Sequence, residues 1–348
     1  MRAITVIPGV PHSAQIDDIP EPPESQGSIL VRTLALGVCG TDREIVAGGF
    51  GEAPSGSERL VLGHESYGEV ISAPPGSRFA EGDRIVGIVR RPDPVPCPAC
   101  ASGQWDMCRN GGYTERGIKG LHGFGAERFR IEPSYAIKVE PVLGETGVLL
   151  EPASIVAKAW DHIERIGRRF HSWEPRRLLV TGAGPIGLLA ALMGVQRGYE
   201  VHVLDRALDG PEPALVRDLG AHYHASALDL IELEADVVIE CTGAPPVIDN
   251  VLGRSAPSGI VCLVGIGGSH ETIFDIGRFS RTMVLNNDVV FGSVNANRRH
   301  YELAASALGG ANQAWLDRLI SRRVPLSNWQ EALQHRPGDI KVVVDFRF

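Results

Sequence analysis

Apolar and polar positions change rhythm near the middle of the chain. Up to about residue 150 short apolar runs are cut by Gly and Pro: Ile29 to Leu36, Arg84 to Val89, Phe129 to Ile131 and Ala136 to Val139. That texture predicts an irregular, mostly β domain. From about Arg176 strand and helix patterns alternate. Arg177 to Thr181 reads as a buried strand, and Pro185 to Arg197 as a helix with Pro in its first turn. Strands follow at Glu200 to Leu204, Asp236 to Glu240 and Gly259 to Val264, with helices around Pro213 to Leu219 and Val247 to Leu252 between them. Continuous apolar strands separated by helices predict a parallel sheet covered on both faces. After a strand-like Asp288 to Val294, helical runs are expected through His335, then an alternating tail from Asp339 to Phe346.

A chain of 348 residues is long for one core and predicts two domains. The net charge of −8 argues against nucleic acid as the main partner, since phosphate binding needs a basic patch. Arg90-Arg91, Arg168-Arg169 and Arg298-Arg299 are short and scattered and read as solvated surface. No apolar run approaches the roughly 18 residues of a membrane helix, and Met1 to Pro11 lacks the apolar stretch of a signal peptide. The expectation is a cytoplasmic protein with no membrane partner. Disulfides are rare there, so the six cysteines are read first as metal ligands or buried thiols.

Gly182-Ala-Gly184-Pro185-Ile186-Gly187 is a G-x-G-x-x-G, a weak signal alone. Here an apolar strand precedes it, a helix opens inside it, and Asp205 ends the next strand 18 residues after Gly187. The pattern fits a dinucleotide site: a tight turn at Gly182, backbone approach to a pyrophosphate at Gly184, and close helix–strand packing at Gly187. Thr242, Gly243, Val264 and Gly265, at or just past strand ends, sit where such folds place ligands.

Cys39-Gly-Thr41-Asp42, Gly63-His64-Glu65 and Glu151-Pro152 scatter a thiol, an imidazole and carboxylates over the first domain. Singly each has a bland reading as packed thiol, core histidine or surface carboxylate. Together they supply the ligand types zinc prefers, few enough to leave room for water or substrate. Zinc beside a nicotinamide would serve a hydride-transferring enzyme as Lewis acid.

On these motifs the chain resembles the zinc-containing medium-chain dehydrogenase/reductase family of alcohol and polyol dehydrogenases, and within it the glucose dehydrogenase branch. The motifs are Cys39 to Asp42, Gly63 to Glu65, a cysteine lobe from Cys97 to Cys108, Leu150-Glu-Pro152 and Gly182 to Gly187. Tyr113 to Gly123 is similar to a segment typical of the sugar-oxidising branch. Gly292-Ser-Val-Asn295 resembles one that places an asparagine beside both substrate and nicotinamide. The resemblance implies an α/β protein, a GroES-like mostly-β catalytic domain over 1–155 and 296–348 with a doubly wound parallel-sheet Rossmann domain over 156–295. It implies catalytic zinc on Cys39 and His64, with Glu65 and Glu151 as carboxylate ligands, direct or through water. Thr41 would relay the alcohol proton. Glu115, Glu151 and Asn295 are candidates for hydroxyl recognition, Glu115 having the alternative of a surface carboxylate beside Arg116 and Lys119. NAD, or NADP, would lie on Gly182 to Gly187, Asp205, Arg206, Thr242, Gly243, Val264, Gly265 and Asn295.

Cys97, Cys100 and Cys108 match the last three positions of that family's four-cysteine structural zinc lobe. The expected first cysteine is Pro94, and Asp93 beside it is the candidate fourth ligand; a lobe without metal is the alternative. Cys241 and Cys262 fall in core strands and read as inert thiols. His222 and His224 read as local surface. The implied reaction is oxidation of the C1 hydroxyl of an aldose, glucose foremost, to its lactone. Alternatives are a polyol or secondary-alcohol dehydrogenase on the same scaffold and a non-catalytic nucleotide-binding or structural protein. A homo-oligomer, dimer or tetramer, is expected.

Overall fold

Contacts in the computed structural model, which describes residues 1–230, 232–267 and 273–348, fall into two units. One comprises Met1–Ser154 with Asn295–Phe348, the other Ile155–Val294.

The first unit is organised by the ten-residue strand Ile29–Val38. It pairs antiparallel with Glu65–Ser72, Lys341–Asp345 and Arg128–Ile131, inside a sheet that also holds Arg84–Gly87, Ala136–Lys138 and Ile320–Pro325. Ile29, Val31, Phe124, Phe129 and Ile131 bury together, with Phe124 and Phe129 edge to face at 4.7 Å. Each such side chain contributes about 1.5–3 kcal/mol on burial. The register sets Gly37 opposite Glu65 and next to Val38, whose partner is Val342. A Cβ on Gly37 would stand 2.0 Å from Glu65 Oε2, so glycine is needed for that carboxylate to lie against the strand.

The expected helical run through His335 is corrected. Helices Arg298–Gly309 and Gln313–Leu319 form, but Ile320–Pro325 is a strand parallel to Lys341–Asp345. Its alternation is Ile320, Arg322, Val324, and the polar middle position hides the strand period. Arg322 is tolerated because its guanidinium meets Asp339 at 2.7 Å.

The second unit is a six-stranded parallel sheet in the order His222–His224, Glu200–Leu204, Arg177–Thr181, Ala235–Glu240, Ser255–Leu263, Val289–Gly292. The order reverses between Arg177–Thr181 and Ala235–Glu240, the topological switch where such sheets bind ligands. Helix Pro185–Gln196 is buried nearly all round. Sequence periodicity did not reveal Leu150–Gly167, the 18-residue helix that carries Glu151. Its Pro152 stands in the first turn, where no N–H is required. Among the described residues no helix is long and apolar enough to cross a membrane.

Candidate active site and metal centres

Cys39 directly follows the central strand and N-caps helix Gly40–Val46. Its Sγ accepts from Thr41 N at 3.2 Å, and its own N–H donates to Asp42 Oδ2 at 3.0 Å, a reciprocal cap that fixes the thiol. Asp42 Oδ1 lies 3.4 Å from His64 Nδ1. That contact turns the other ring nitrogen, Nε2, toward Cys39 Sγ at 3.0 Å. Burial opposes charge on His64, but the adjacent Cys39 and Asp42 outweigh it and hold the imidazole well above its ordinary range. A sulfur and a nitrogen lone pair facing each other at this distance need a proton or a cation between them. Glu65 completes a set whose ligand atoms all lie within 4.8 Å of one another. Sulfur, imidazole and carboxylate together fit zinc.

Glu65 is not free, however. Lys341 Nζ stands 2.6 Å from each of its carboxylate oxygens, with both side chains buried. Glu151, also buried, lies outside the three-residue set. Burial raises its carboxyl to about 7, with His64 opposing and Glu65 adding to the rise. Thr41 is half-buried in the first turn of the helix that Cys39 caps. Sequence reading assigned no role to Asp42 or Lys341. Asp42 was visible as the N3 residue of a cap, whereas the partner of Lys341 is 276 residues away.

Glu115 is buried rather than a surface carboxylate. It pairs across the strands with Arg90, whose Nε and Nη2 both reach Oε1 at 3.0 Å. The reading of Arg90-Arg91 as solvated surface is thereby corrected. Arg90 also stacks on Tyr113 at 3.8 Å, and Arg91 donates to the Ile88 carbonyl at 2.7 Å. Their opposite charges and carbonyl partners are what make burial tolerable. Asn295 Nδ2 donates to Glu115 Oε1 at 2.6 Å, and Asn295 sits in the left-handed region at φ 61°. Asn tolerates that conformation better than most residues, and here it holds an amide against a buried carboxylate.

Cys97 caps the short helix Pro98–Ala101, and its sulfur, Cys100 and Cys108 lie within 4.8 Å of one another. Backbone N–H groups of Arg109 and Cys100 pull the Cys97 thiol down, whereas burial pushes Cys100 up. Three clustered sulfurs suit a structural metal. Asp93 is outside the set: Oδ1 accepts from Val95 N at 2.8 Å and Oδ2 from Gly112 N at 3.1 Å.

In the second unit Gly182 turns at φ +87° and Gly184 caps helix Pro185–Gln196, with Pro185 and Ile186 in its first turn. A Cβ on Gly187 would stand 1.8 Å from the Gly182 carbonyl oxygen, whereas one on Gly184 would meet nothing within 4 Å among the described residues other than its own chain neighbours. Gly184 therefore leaves space for something other than protein. Asp205 braces this loop, accepting from Ala183 N at 2.7 Å through Oδ2 and from Ala207 N at 3.0 Å through Oδ1. Arg206 is exposed. Sequence reading missed Glu240, which is fully buried at the neighbouring strand end. Its carboxylate accepts from Thr242 N at 2.7 Å and Gly243 N at 3.0 Å, and its carbonyl from Val264 N and Gly265 N, each at 2.9 Å. One residue thus ties both neighbouring loops.

Comparison with known proteins matches residues 25–141 to the alcohol dehydrogenase GroES-like domain and residues 144–346 to the glucose dehydrogenase C-terminus. The chain is 40% identical over 350 residues to glucose 1-dehydrogenase 2 of Vulcanisaeta moutnovskia, with 99% of each chain covered. It is 41% identical over 350 residues to glucose 1-dehydrogenase of Thermoproteus tenax, again with 99% of each covered. Among solved structures, Haloferax mediterranei glucose dehydrogenase in complex with NADP, Zn and gluconolactone superposes with a TM-score of 0.91 at 34% identity, over 99% of each chain.

Proposed function

The chain belongs to the zinc-containing medium-chain dehydrogenase/reductase family, in its glucose dehydrogenase branch, and from that premise we propose that it oxidises C1 of an aldose, glucose foremost, to the lactone. The observation that carries the reading is the pair Cys39 Sγ and His64 Nε2, facing at 3.0 Å with Glu65 alongside. Cys39 and His64 would hold zinc, with Glu65 and Glu151 as carboxylate neighbours and Asp42 orienting His64. Held there, zinc would supply a Lewis acid for the C1 oxygen, and NAD or NADP on the glycine loop would supply the hydride acceptor.

The chain's own groups do the rest. Loss of hydride from C1 and of a proton from the C1 hydroxyl leaves the lactone, so the site must move one proton. Thr41, in the first turn of the helix that Cys39 caps, and the buried carboxyl of Glu151 carry it. Glu115 and Asn295, locked together at 2.6 Å, present acceptor and donor to the sugar hydroxyls. A site built to pair hydroxyls discriminates against substrates that lack them. The second unit contributes Gly182, Gly184, Gly187, Asp205, Thr242, Gly243, Val264 and Gly265 to the cofactor. The protein acts in the cytoplasm as a homo-oligomer. A panel of aldoses, polyols and simple alcohols with each cofactor tests the reading. Glucose or another aldose is expected to give the highest kcat/KM, and a higher value for a secondary alcohol would overturn it.

A further inference from the structure

His222 and His224 look like surface residues in the sequence, but folding gives them company. Parallel pairing sets His202 beside His222 and Leu204 beside His224 at the edge of the second unit's sheet. Side chains alternate along a strand, so Glu200, His202, His222 and His224 share one face while Val201 and Val203 turn into the core. The rings of His202 and His222 stack at 4.9 Å and those of His202 and His224 at 5.2 Å. His202 Nδ1 is 3.0 Å from His224 Nε2, and His202 Nε2 is 3.2 Å from Glu200 Oε1. One ligand atom each from Glu200, His202 and His222 lies within 4.8 Å of the other two.

We propose that this sheet edge is a binding site for a divalent transition ion of the zinc or nickel kind, held by Glu200, His202 and His222 and supported by His224. Imidazole and carboxylate are the donor set such ions accept. Ligands about 2.0–2.1 Å from an ion at tetrahedral or octahedral angles stand roughly 2.9–3.4 Å apart, and the His202–Glu200 separation of 3.2 Å is already in that range. His222 reaches the same point by side-chain rotation, for which its exposed position leaves room.

The His202–His224 contact supplies the outer support that ligating histidines characteristically have. With Nδ1–H of His202 donated to His224 Nε2, the lone pair on His202 Nε2 faces a Glu200 oxygen that cannot donate. A cation between them turns that repulsion into two bonds. Without metal the chain of protons runs the other way, His224 to His202 to Glu200, so binding shifts both imidazoles to their other tautomers with no net change in protons. Of the charged neighbours, Asp229 faces His224 and favours a cation, while Arg177 meets Glu200 at 3.5 Å and must release it. The ion would clip the three-residue strand His222–His224 to Glu200–Leu204, the outermost pair of the sheet. The site has no thiolate, which separates it chemically from the two cysteine-containing sets.

The test is a titration of purified zinc-replete enzyme with Ni²⁺ while a chromophoric chelator reports any zinc released. One added Ni²⁺ per chain without zinc release is expected, with a rise in Tm. His222→Ala and Glu200→Gln should each weaken uptake tenfold or more, and His224→Ala about 10–100-fold as loss of outer support. Glucose oxidation by His222→Ala should be unchanged, which shows that the variant is folded. No added Ni²⁺, uptake matched by zinc release, or equal uptake by His222→Ala and Glu200→Gln would each overturn the site.

Discussion

Lys341 Nζ lies 2.6 Å from both carboxylate oxygens of Glu65, each side chain about 3% exposed. The sequence separates them by 276 residues, and strands Lys341–Asp345 and Glu65–Ser72 meet only because both pair with Ile29–Val38. A buried cation so close to a proposed zinc neighbour sets the direction of the Glu65 carboxylate. Breaking a buried pair by removing one partner costs about 3–5 kcal/mol, whereas an apolar replacement of both is often neutral. Lys341→Met should therefore lower the stability measured by urea unfolding by about that amount. The double variant Lys341→Met/Glu65→Leu should recover most of it. A Lys341→Met protein as stable as the parent would show that the pair is not formed in solution.

Cys39→Ala and His64→Ala should each lose one zinc per chain and turnover, while far-UV circular dichroism and Tm stay near the parent's. Asp42→Asn is the finer test, because it leaves both ligands in place. An amide can still contact His64 but carries no charge, and outer-support changes of this kind cost about 10–100-fold in metal affinity. Chelator competition measures that loss. Unchanged zinc affinity in Asp42→Asn would remove Asp42 from the centre.

The cysteine lobe should hold a second zinc that serves stability rather than turnover. Cys100→Ser is expected to lose that zinc and lower Tm, with kcat/KM for glucose retained at low temperature. Asp93→Asn should keep it, since the Asp93 oxygens are already engaged by Val95 N and Gly112 N. Metal content of the two variants distinguishes the roles. Loss of the lobe's zinc in Asp93→Asn would make Asp93 a ligand after all.

Much of the second unit was legible because its strands are uninterrupted apolar runs between glycines. Arg177–Thr181 and Glu200–Leu204 start and stop where the pattern does. Cys39, His64 and Glu65 could be singled out because their residue types suit a metal, and the fold brings their ligand atoms together. What stayed hidden depended on distant partners. Arg90 looks like surface until Glu115 is placed opposite it, and Lys341 looks misplaced in an apolar strand until Glu65 arrives. Glu240 was half hidden: Thr242 N and Gly243 N lie in its own loop, but Val264 N and Gly265 N reach it only once the neighbouring strand aligns.

Acid should weaken the Arg322–Asp339 pair in the C-terminal part of the first unit. The hydrogen-bonded Arg322 guanidinium holds Asp339 below the usual carboxylate range, against a smaller opposing effect of burial. A folded-state pKa below the unfolded one means the stabilisation is complete above the unfolded value, about 3.9. It is lost as pH falls through the folded value. Asp339→Asn should therefore be less stable than the parent at pH 7, and the two should converge below about pH 4 as the parent's carboxyl protonates. A stability gap that stays constant from pH 7 to pH 3 would mean that the ionised carboxylate contributes nothing.

Cofactor choice turns on Asp205 and Arg206. Asp205 already accepts from Ala183 N and Ala207 N, one bond on each oxygen, so it is held rigidly at the strand end with lone pairs to spare. A carboxylate fixed there can accept from the adenosine ribose hydroxyls of NAD. In NADP the 2′-hydroxyl is a phosphate, which removes one donor and sets like charges together. Hydrogen bonds to charged groups are worth roughly 1.5–3 kcal/mol, so a preference for NAD of about tenfold to a hundredfold is expected. Arg206 is exposed next to it and can swing to pair a 2′-phosphate, which keeps NADP usable. Asp205→Gly should move the ratio of kcat/KM values toward NADP. It should also raise KM for NAD more than loss of the ribose contact alone requires, because the brace on Ala183 N disappears with the side chain. Asp205→Asn separates the two effects: it keeps an acceptor for one of the backbone donors but loses the charge that repels a phosphate. If the parent enzyme strongly prefers NADP, or if Asp205→Asn leaves the ratio unchanged, Arg206 and not Asp205 governs the site.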